Sequence, residues 1–579
     1  MTHELIEMTN ADYMAYALKK NGVEHIFGLS NPSNIVLSCM EQGIQQICFR
    51  QENAGSYMAQ GYGMMTGKVP IVTAQNGPAA TLLVPGLAEC LTASHPIVAI
   101  VQQVGLQDYD KNAFQELNHE KLFDGCAKWI GTIMSADRIA DYVDMAFTQA
   151  ASGRPGPAVL LCPVSIFNDK KKYKREILRT KNLGHYPLDR YATDYAKIKE
   201  AAKMIAEAEQ PIIIAGGGVM SSKAESTLQD LQEKCSIPVA TTMMGKGAVD
   251  ENHPLSMGVT GYISGKRGMS KFLRPTIESA DLIVLVGTRT NQNGTDSWTL
   301  FSKDSKFIHI DMDGAEIGRN YEAFRLLGDA KLTLKMLTHA LLEEDLNKRH
   351  DNRANLENLI KEAKLKHIEE AKDVAESTAK PIRIETFTKR LDNYLEDDHV
   401  IVADASFSSI WLANYLTATK NRKFIFPRGL AGLGWGLPMA MGAKVAAPNR
   451  KVFCLAGDGG FAFVWGEIEA LKRNGIDVVC AVINNEVLGY QYWAELAKFD
   501  GRYTNACELG PVDHTKIAEA CGIKGIRLED PAKIDEVIEE ALNFDGSVII
   551  DIMADPDSVP PVRLMEPFDG DHYTPQFFI

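Results

Sequence analysis

Short, mainly apolar runs alternate along the chain with longer stretches in which apolar residues recur every three or four positions. Val69–Ala74, Ile97–Val101, Ala158–Cys162, Pro211–Ala215, Leu282–Val286, Phe307–Ile310, Val400–Ala403, Val452–Leu455, Val478–Ile483 and Val548–Ile552 are rich in Val and Ile and mostly run into Gly, Asn or Asp. Such runs predict strands buried on both faces. Helical patterns lie between them. In Asp194–Ala208, for example, Ile198, Ala201, Ala202, Ile205 and Ala208 share one face. Strand and helix in alternation predict an α/β chain of mainly parallel sheets flanked by helices.

Two polar stretches interrupt the pattern. Asn168–Thr193 carries the basic run Lys170–Lys174, and Leu341–Lys380 is long, charged and helix-forming in composition. Both read as linkers with solvated faces. They divide the chain into domains at 1–168, 190–340 and 380–555, followed by a Pro- and aromatic-rich C-terminal arm at 556–579. Three domains suit a length of 579 residues.

Composition narrows the function classes. With 45% hydrophobic and 23% charged residues, the chain is neither disordered nor collagen-like nor a coiled coil. A net charge of -14 repels nucleic-acid backbones and anionic lipid, so neither nucleic acid nor a membrane surface is an expected partner. No apolar stretch is long enough to span a bilayer. The ten cysteines are scattered, without a CxxC pair or zinc-like spacing, and several sit inside apolar runs. Buried thiols and an N-terminus without a signal-peptide pattern point to the cytoplasm.

The sharpest chemistry lies in the third domain. The strand ending at Ala456 is followed by Gly457-Asp458-Gly459-Gly460, and the strand Val478–Ile483 is followed by Asn484-Asn485, with 24 residues between Gly459 and Asn484. Open α/β sheets bind ligands at the C-terminal ends of their strands. Asp458 and Asn485 offer oxygens there, which suit a hard ion such as Mg²⁺, and the glycines admit a phosphate close to the backbone.

This spacing resembles the thiamine diphosphate signature, and further motifs extend the resemblance along nearly the whole chain. They are Phe27-Gly28, Arg50-Gln51-Glu52-Asn53-Ala54, Gln75-Asn76-Gly77-Pro78, Ala113-Phe114-Gln115-Glu116, Gly216–Gly218, Gly287-Thr288-Arg289 and Gly429-Leu-Ala-Gly-Leu433-Gly-Trp-Gly-Leu437-Pro438. In order and spacing they resemble the acetolactate synthase and pyruvate oxidase superfamily of 2-keto-acid enzymes. The resemblance implies that the first domain binds the pyrimidine ring, that the third binds the diphosphate, and that the middle one is dinucleotide-fold-like.

It also implies roles for residues. Glu52 is the catalytic carboxyl that bonds to the cofactor's pyrimidine ring, and Gln115 lies near the reacting carbon. Asn76, Gly77 and Pro78 face the cofactor, Leu433 wedges it into a bent form, and Tyr490 borders it. Asp458, Asn485 and the carbonyl of Val487 hold Mg²⁺, while Gly457, Gly459 and Gly460 approach the diphosphate, with amides of Gly459 and Gly460 as donors. The hydroxyls of Ser406, Ser408 and Ser409 contact phosphate. Phe114, His119 and Trp493 line the substrate channel, with His119 a candidate proton shuttle. The family's cofactor spans two chains, so a homodimer or homotetramer with interfacial active sites is implied.

The implied activity is that of an acetolactate-synthase-like carboligase, which decarboxylates a 2-keto acid such as pyruvate and joins the remaining two carbons to a second carbonyl. Three departures stand against that name. Asp404-Ala-Ser406-Phe-Ser408 replaces a Gly-Gln-His, Gly287–Asp296 lacks an arginine expected to select the acceptor, and Gln75-Asn76-Gly77-Pro78 replaces Thr/Ser-Gly-Pro-Gly. The last, with Phe114-Gln-Glu-x-Asn118, also resembles sulfoacetaldehyde acetyltransferase, a phosphate-using enzyme acting on an aldehyde. A simple decarboxylase or acyloin lyase is a third alternative. Glu52 argues against glyoxylate carboligase, which lacks that acid, and together with Asp458 and Asn485 against a non-catalytic sensor. Acetolactate synthases bind FAD in the middle domain while many relatives bind nothing there, so FAD stands as an alternative.

Overall fold

A computed structural model describes residues 5–174 and 182–563. It contains three six-stranded sheets, all parallel within each sheet. The N-terminal sheet runs Gln45–Ile47, His25–Phe27, Ile71–Ala74, Ile97–Gln103, Pro157–Pro163, Trp129–Thr132 in space. The C-terminal sheet runs Lys423–Ile425, Val400–Ala403, Val452–Gly457, Val479–Asn484, Val548–Met553, Lys524–Leu528. Numbered within its own domain, each has the order 2-1-3-4-6-5. The central sheet, from Ser256–Val259 to Phe324–Leu327, has the different order 3-2-1-4-5-6, that of a dinucleotide fold.

The apolar runs form the middle strands, where both faces are covered and nearly every residue is apolar for that reason. The helix Tyr195–Glu207 starts where Asp194 accepts from the Ala196 N–H at 2.9 Å, and it buries Ile198, Ala201, Ala202 and Ile205. The charged stretch after Leu341 includes one helix, Asn347–Ala375, which buries Ile360, Ala363, His367, Ala371 and Val374 and packs on Met269–Glu278. It is thus part of the packed body, not a free linker. The basic run corrects the linker reading in the same way. Lys170–Lys174 is a strand paired antiparallel with Leu5–Thr9; Lys170–Lys172 stay exposed, while Tyr173 turns inward and stacks on Tyr13 at 3.8 Å. Of the C-terminal arm, 564–579 lies outside the described residues.

The N- and C-terminal domains meet through equivalent helices, Glu52–Thr66 and Gly436–Ala446, each following its sheet's second strand. The crossing is close enough that only glycine fits. A Cβ on Gly61 would lie 2.3 Å from the Met439 carbonyl oxygen, and one on Gly442 would lie 1.8 Å from that of Met58. Two buried carboxylates then fasten the halves reciprocally. Glu467 of the C-terminal domain accepts the N–H groups of Arg50 and Gln51, just before the first helix. Glu89 of the N-terminal domain accepts those of Gly429, Leu430 and Ala431, just before the second.

Candidate active site

A cleft of about 1370 Å³, open at its mouth, lies at the C-terminal ends of the third domain's strands. The residues lining it include Ser406, Ser408, Leu433, Gly457, Asp458, Gly459, Gly460, Asn485, Val487 and Tyr490, so most of the diphosphate-side residues come together. Asp458 starts a helix directly after its strand. Its carboxylate accepts N–H bonds from Gly459 at 2.7 Å, Asn485 at 3.1 Å and Glu486 at 2.7 Å, tying the ends of two adjacent strands together. Burial pushes its pKa up to about 6 against the pull of those bonds. No Lys or Arg pairs with it among the described residues. A buried carboxylate without a cationic partner, beside a carboxamide and the Val487 loop, fits a divalent cation with oxygen ligands.

The wall opposite is held by Asp404, a residue absent from the sequence-based site. It accepts from Ala405 at 2.6 Å and from Gly434 and Trp435 at 3.2 Å, which fixes the turn behind Leu433. Glu89 holds the residues before that turn, so Leu433 is presented half-exposed from a loop clamped at both ends. One signal could have revealed Glu89: it is the only charged residue in the apolar helix Pro78–Ala93.

Some expected contacts are corrected. The N–H of Gly459 is committed to Asp458, so this glycine allows close approach instead of donating to a phosphate. Ser409 does not line the cleft; its hydroxyl donates to the Ser406 carbonyl at 2.9 Å and receives Arg428 Nη2. Trp493 also lies outside the cleft lining, and its indole N–H donates to the Pro556 carbonyl at 3.2 Å, tying its helix to the segment after the last strand.

The N-terminal residues form a second group. Gln75 Nε2 donates to Gln115 Oε1 at 2.8 Å, Asn76 Nδ2 to the carbonyls of Phe114 and Gln115, and Gln102 Nε2 to Asn76 Oδ1 at 2.8 Å. Gly77 has φ +68°, and a Cβ there would meet Gln115 at 2.8 Å, so glycine is required. His119 accepts the Gly77 N–H on Nε2 at 2.9 Å and faces Gln103 Oε1 with Nδ1 at 2.7 Å. It is fully buried, with burial lowering its pKa to about 4. His119 is therefore a neutral prop for the Gly77 turn, which corrects its reading as a channel residue and proton shuttle. Phe114 stands 82% exposed, and Pro78 opens the helix. Glu52 heads its own helix, buried, and burial pushes its carboxyl pKa up.

The two groups do not meet within the described chain. Every residue lining the cofactor cleft comes from the central or C-terminal domain, and Glu52, Asn76 and Gln115 are not among them.

A second cleft, about 1120 Å³, opens between the N-terminal and central domains. Gly217, Gly218, Gly287, Arg154 and Arg289 line it, but the N–H groups of Gly216 and Gly218 are already bonded to the carbonyls of Val286 and Gly287. Those two amides are not available to a dinucleotide pyrophosphate, and FAD gains no support here.

Comparison with known proteins matches this architecture. Models of the thiamine pyrophosphate enzymes match three times: the N-terminal TPP binding domain at residues 8–122, the central domain at 198–337 and the C-terminal TPP binding domain at 404–552. A probable acetolactate synthase large subunit of Methanococcus aeolicus is 33% identical, over 96% of this chain and 94% of its own length. One from Methanocaldococcus jannaschii is 32% identical, over 95% and 92%. Acetolactate synthase isozyme 2 large subunit of Escherichia coli is 27% identical, over 95% and 96%. With three domains in this order, a GDG strand end that fits a metal diphosphate and near-full-length relatives, the chain belongs to the thiamine-diphosphate-dependent enzymes, in their acetolactate-synthase-like group.

Proposed function

We propose that this enzyme is a Mg²⁺-dependent carboligase that decarboxylates a 2-keto acid, pyruvate first among them, and joins the two-carbon unit to a second carbonyl. The observation that carries the reading is the Asp458–Asn485 strand-end pair, in a chain whose relatives are named acetolactate synthases. When bound, thiamine diphosphate supplies a nucleophilic carbon and an electron sink for the loss of CO₂.

The chain's own residues bind, orient and protonate. Asp458, Asn485 and the Val487 carbonyl hold Mg²⁺. Ser406, Ser408 and the close backbone of Gly457, Gly459 and Gly460 border the diphosphate, with Gly460 the remaining amide donor. Leu433 and Tyr490 shape the cleft around the rings. Glu52, whose burial favours the protonated carboxyl, holds a proton toward the pyrimidine ring. Asn76, Gly77, Pro78 and Gln115 face the reacting side, and Phe114 covers it. The active unit is a homodimer or homotetramer in which Glu52 of one subunit serves the cleft of the other. This is supported by the absence of N-terminal-domain residues from the cleft and by the exposure of Phe114. The blocks 1–168, 190–340 and 380–555 are its proposed domains, and the cytoplasm is its proposed compartment, supported by ten free thiols that are mostly buried.

Proton NMR of the holoenzyme with pyruvate, with phosphate omitted and then added, tests the reaction. Acetolactate forming without phosphate is expected. Acetyl phosphate formed only from sulfoacetaldehyde and phosphate would replace this reading with the acetyltransferase one. Glu52→Gln is expected to keep cofactor binding and lose about 10²- to 10⁴-fold in turnover. Wild-type turnover would remove Glu52 from the mechanism.

A further inference from the structure

Arg428 is the only cationic side chain among the described residues that line the cofactor cleft. It sits just before the loop that presents Leu433, and together with Asn293 it also lines the central-domain cleft, so the two clefts adjoin at this pair. Its Nη2 donates to Ser409 Oγ, and its guanidinium stands 5.8 Å from the ring centre of Tyr262. Its charge acts on the hydroxyls of Tyr262 and Tyr490. Its Nε is shut off from solvent, and the Tyr262 hydroxyl lies against the guanidinium as a neutral partner. No carboxylate lies within ion-pair range among the described residues. The two acids of this cleft are engaged elsewhere: Asp404 by Ala405, Gly434 and Trp435, and Asp458 by Gly459, Asn485 and Glu486.

A guanidinium held only by neutral hydroxyls and an aromatic face, with no carboxylate among the described residues to balance its charge, is arranged for an oxyanion that arrives from outside the chain. We propose that Arg428 is the specificity-determining residue that binds the anionic group of the carbonyl substrate, a carboxylate or a similar oxyanion, at the junction of the two clefts. Arg428 makes no contact with Asp458 among the described hydrogen bonds and ion pairs, so the metal diphosphate and the substrate anion have separate anchors in this proposal. The inference rests on the keto-acid reading for the identity of the substrate, but not for the presence of an anion site.

The test uses the cofactor- and Mg²⁺-loaded full chain and its Arg428→Met and Arg428→Lys variants. In Arg428→Met the KM for pyruvate is expected to rise about 10- to 100-fold, the worth of a hydrogen bond to a charged group. Thiamine diphosphate affinity, followed by fluorescence titration, is expected to stay unchanged, and Arg428→Lys to recover part of the loss. A second readout needs no turnover: thermal protection by propionate, ethanesulfonate or inorganic phosphate. Wild type is expected to be protected and Arg428→Met not, with the best-protecting anion naming the class. An unchanged KM with unchanged protection overturns the proposal, as does wild type unprotected by all three anions. A fall in cofactor affinity with KM unchanged also overturns it and assigns Arg428 to the diphosphate. Should wild type turn over no keto acid, the proposed reaction fails while the protection arm still decides the anion site.

Discussion

The N- and C-terminal domains share one strand order, yet their equivalent strand ends do opposite jobs. The third strand of the first runs into Gln75-Asn76-Gly77, and that of the second into Gly457-Asp458-Gly459. In the first, side-chain amides and a neutral histidine satisfy one another and leave a rigid, uncharged face. In the second, carboxylates gather backbone N–H groups and leave an open cleft. One topology therefore supplies both a surface suited to a neutral ring and a pocket suited to a metal diphosphate. The strand ends, not the fold, carry the difference.

The shared contact between the halves is the strongest place to break the comparison. Gly442→Val puts side-chain atoms into the Met58 carbonyl region and is expected to cost about 3 kcal/mol or more, read as loss of soluble protein or a steep fall in unfolding midpoint. A stable variant would show that the helices can separate. Next comes the chemical contrast. Asp458→Ala is expected to weaken Mg²⁺ and thiamine diphosphate binding together by about 100-fold or more, since even outer-shell partners of a metal are worth 10- to 100-fold. Asn76→Ala should leave both affinities nearly unchanged and lower turnover. Equal effects on binding by calorimetry would erase the distinction.

The reciprocal carboxylates offer a finer test. Burial lifts the Glu467 pKa to about 7, against the pull of the Arg50 and Gln51 N–H groups and of the Arg473 and Arg50 charges. Between its ordinary value of 4.5 and about 7 the folded chain holds a proton that the unfolded chain releases, so this group's contribution to stability falls as pH rises through that window. Glu467→Gln is expected to improve relative to wild type by about 2–3 kcal/mol in urea melts between about pH 5 and pH 8. A constant difference would mean that Glu467 is ionised throughout. The smallest effect is expected at the first domain's prop: His119→Ala, leaving the Gly77 N–H unpaired, should cost about 1–2 kcal/mol of stability. Because its pKa is depressed to about 4, that cost should be larger at neutral pH than below pH 5.

The order of legibility follows from burial. Middle strands such as Pro211–Ala215, Leu282–Val286 and Val400–Ala403 are covered on both faces, so their sequence is continuously apolar and their bounds can be read directly. Edge strands such as Gln45–Ile47 and Lys524–Leu528 carry polar residues, and nothing in their pattern marks them. Lys170–Lys174 became a strand because Leu5–Thr9 lies beside it, a partner more than 160 residues away in sequence.

The same division holds at the active site. Asp458, Asn485 and Leu433 sit in spaced local motifs, because a strand and the turn after it are contiguous in sequence and bring their own glycines. Sequence alone therefore determined the fold class and the cofactor family, and it brought the residues of the proposed metal end of the cleft together in local motifs. Only the tertiary structure showed that Glu89, Glu467 and Asp404 clamp the loops, that His119 is an inert prop, that Ser409 serves Arg428, and that Glu52 stands away from its own chain's cleft. These depend on which distant atoms a side chain meets and on what burial leaves unpaired, and neither is written in local spacing.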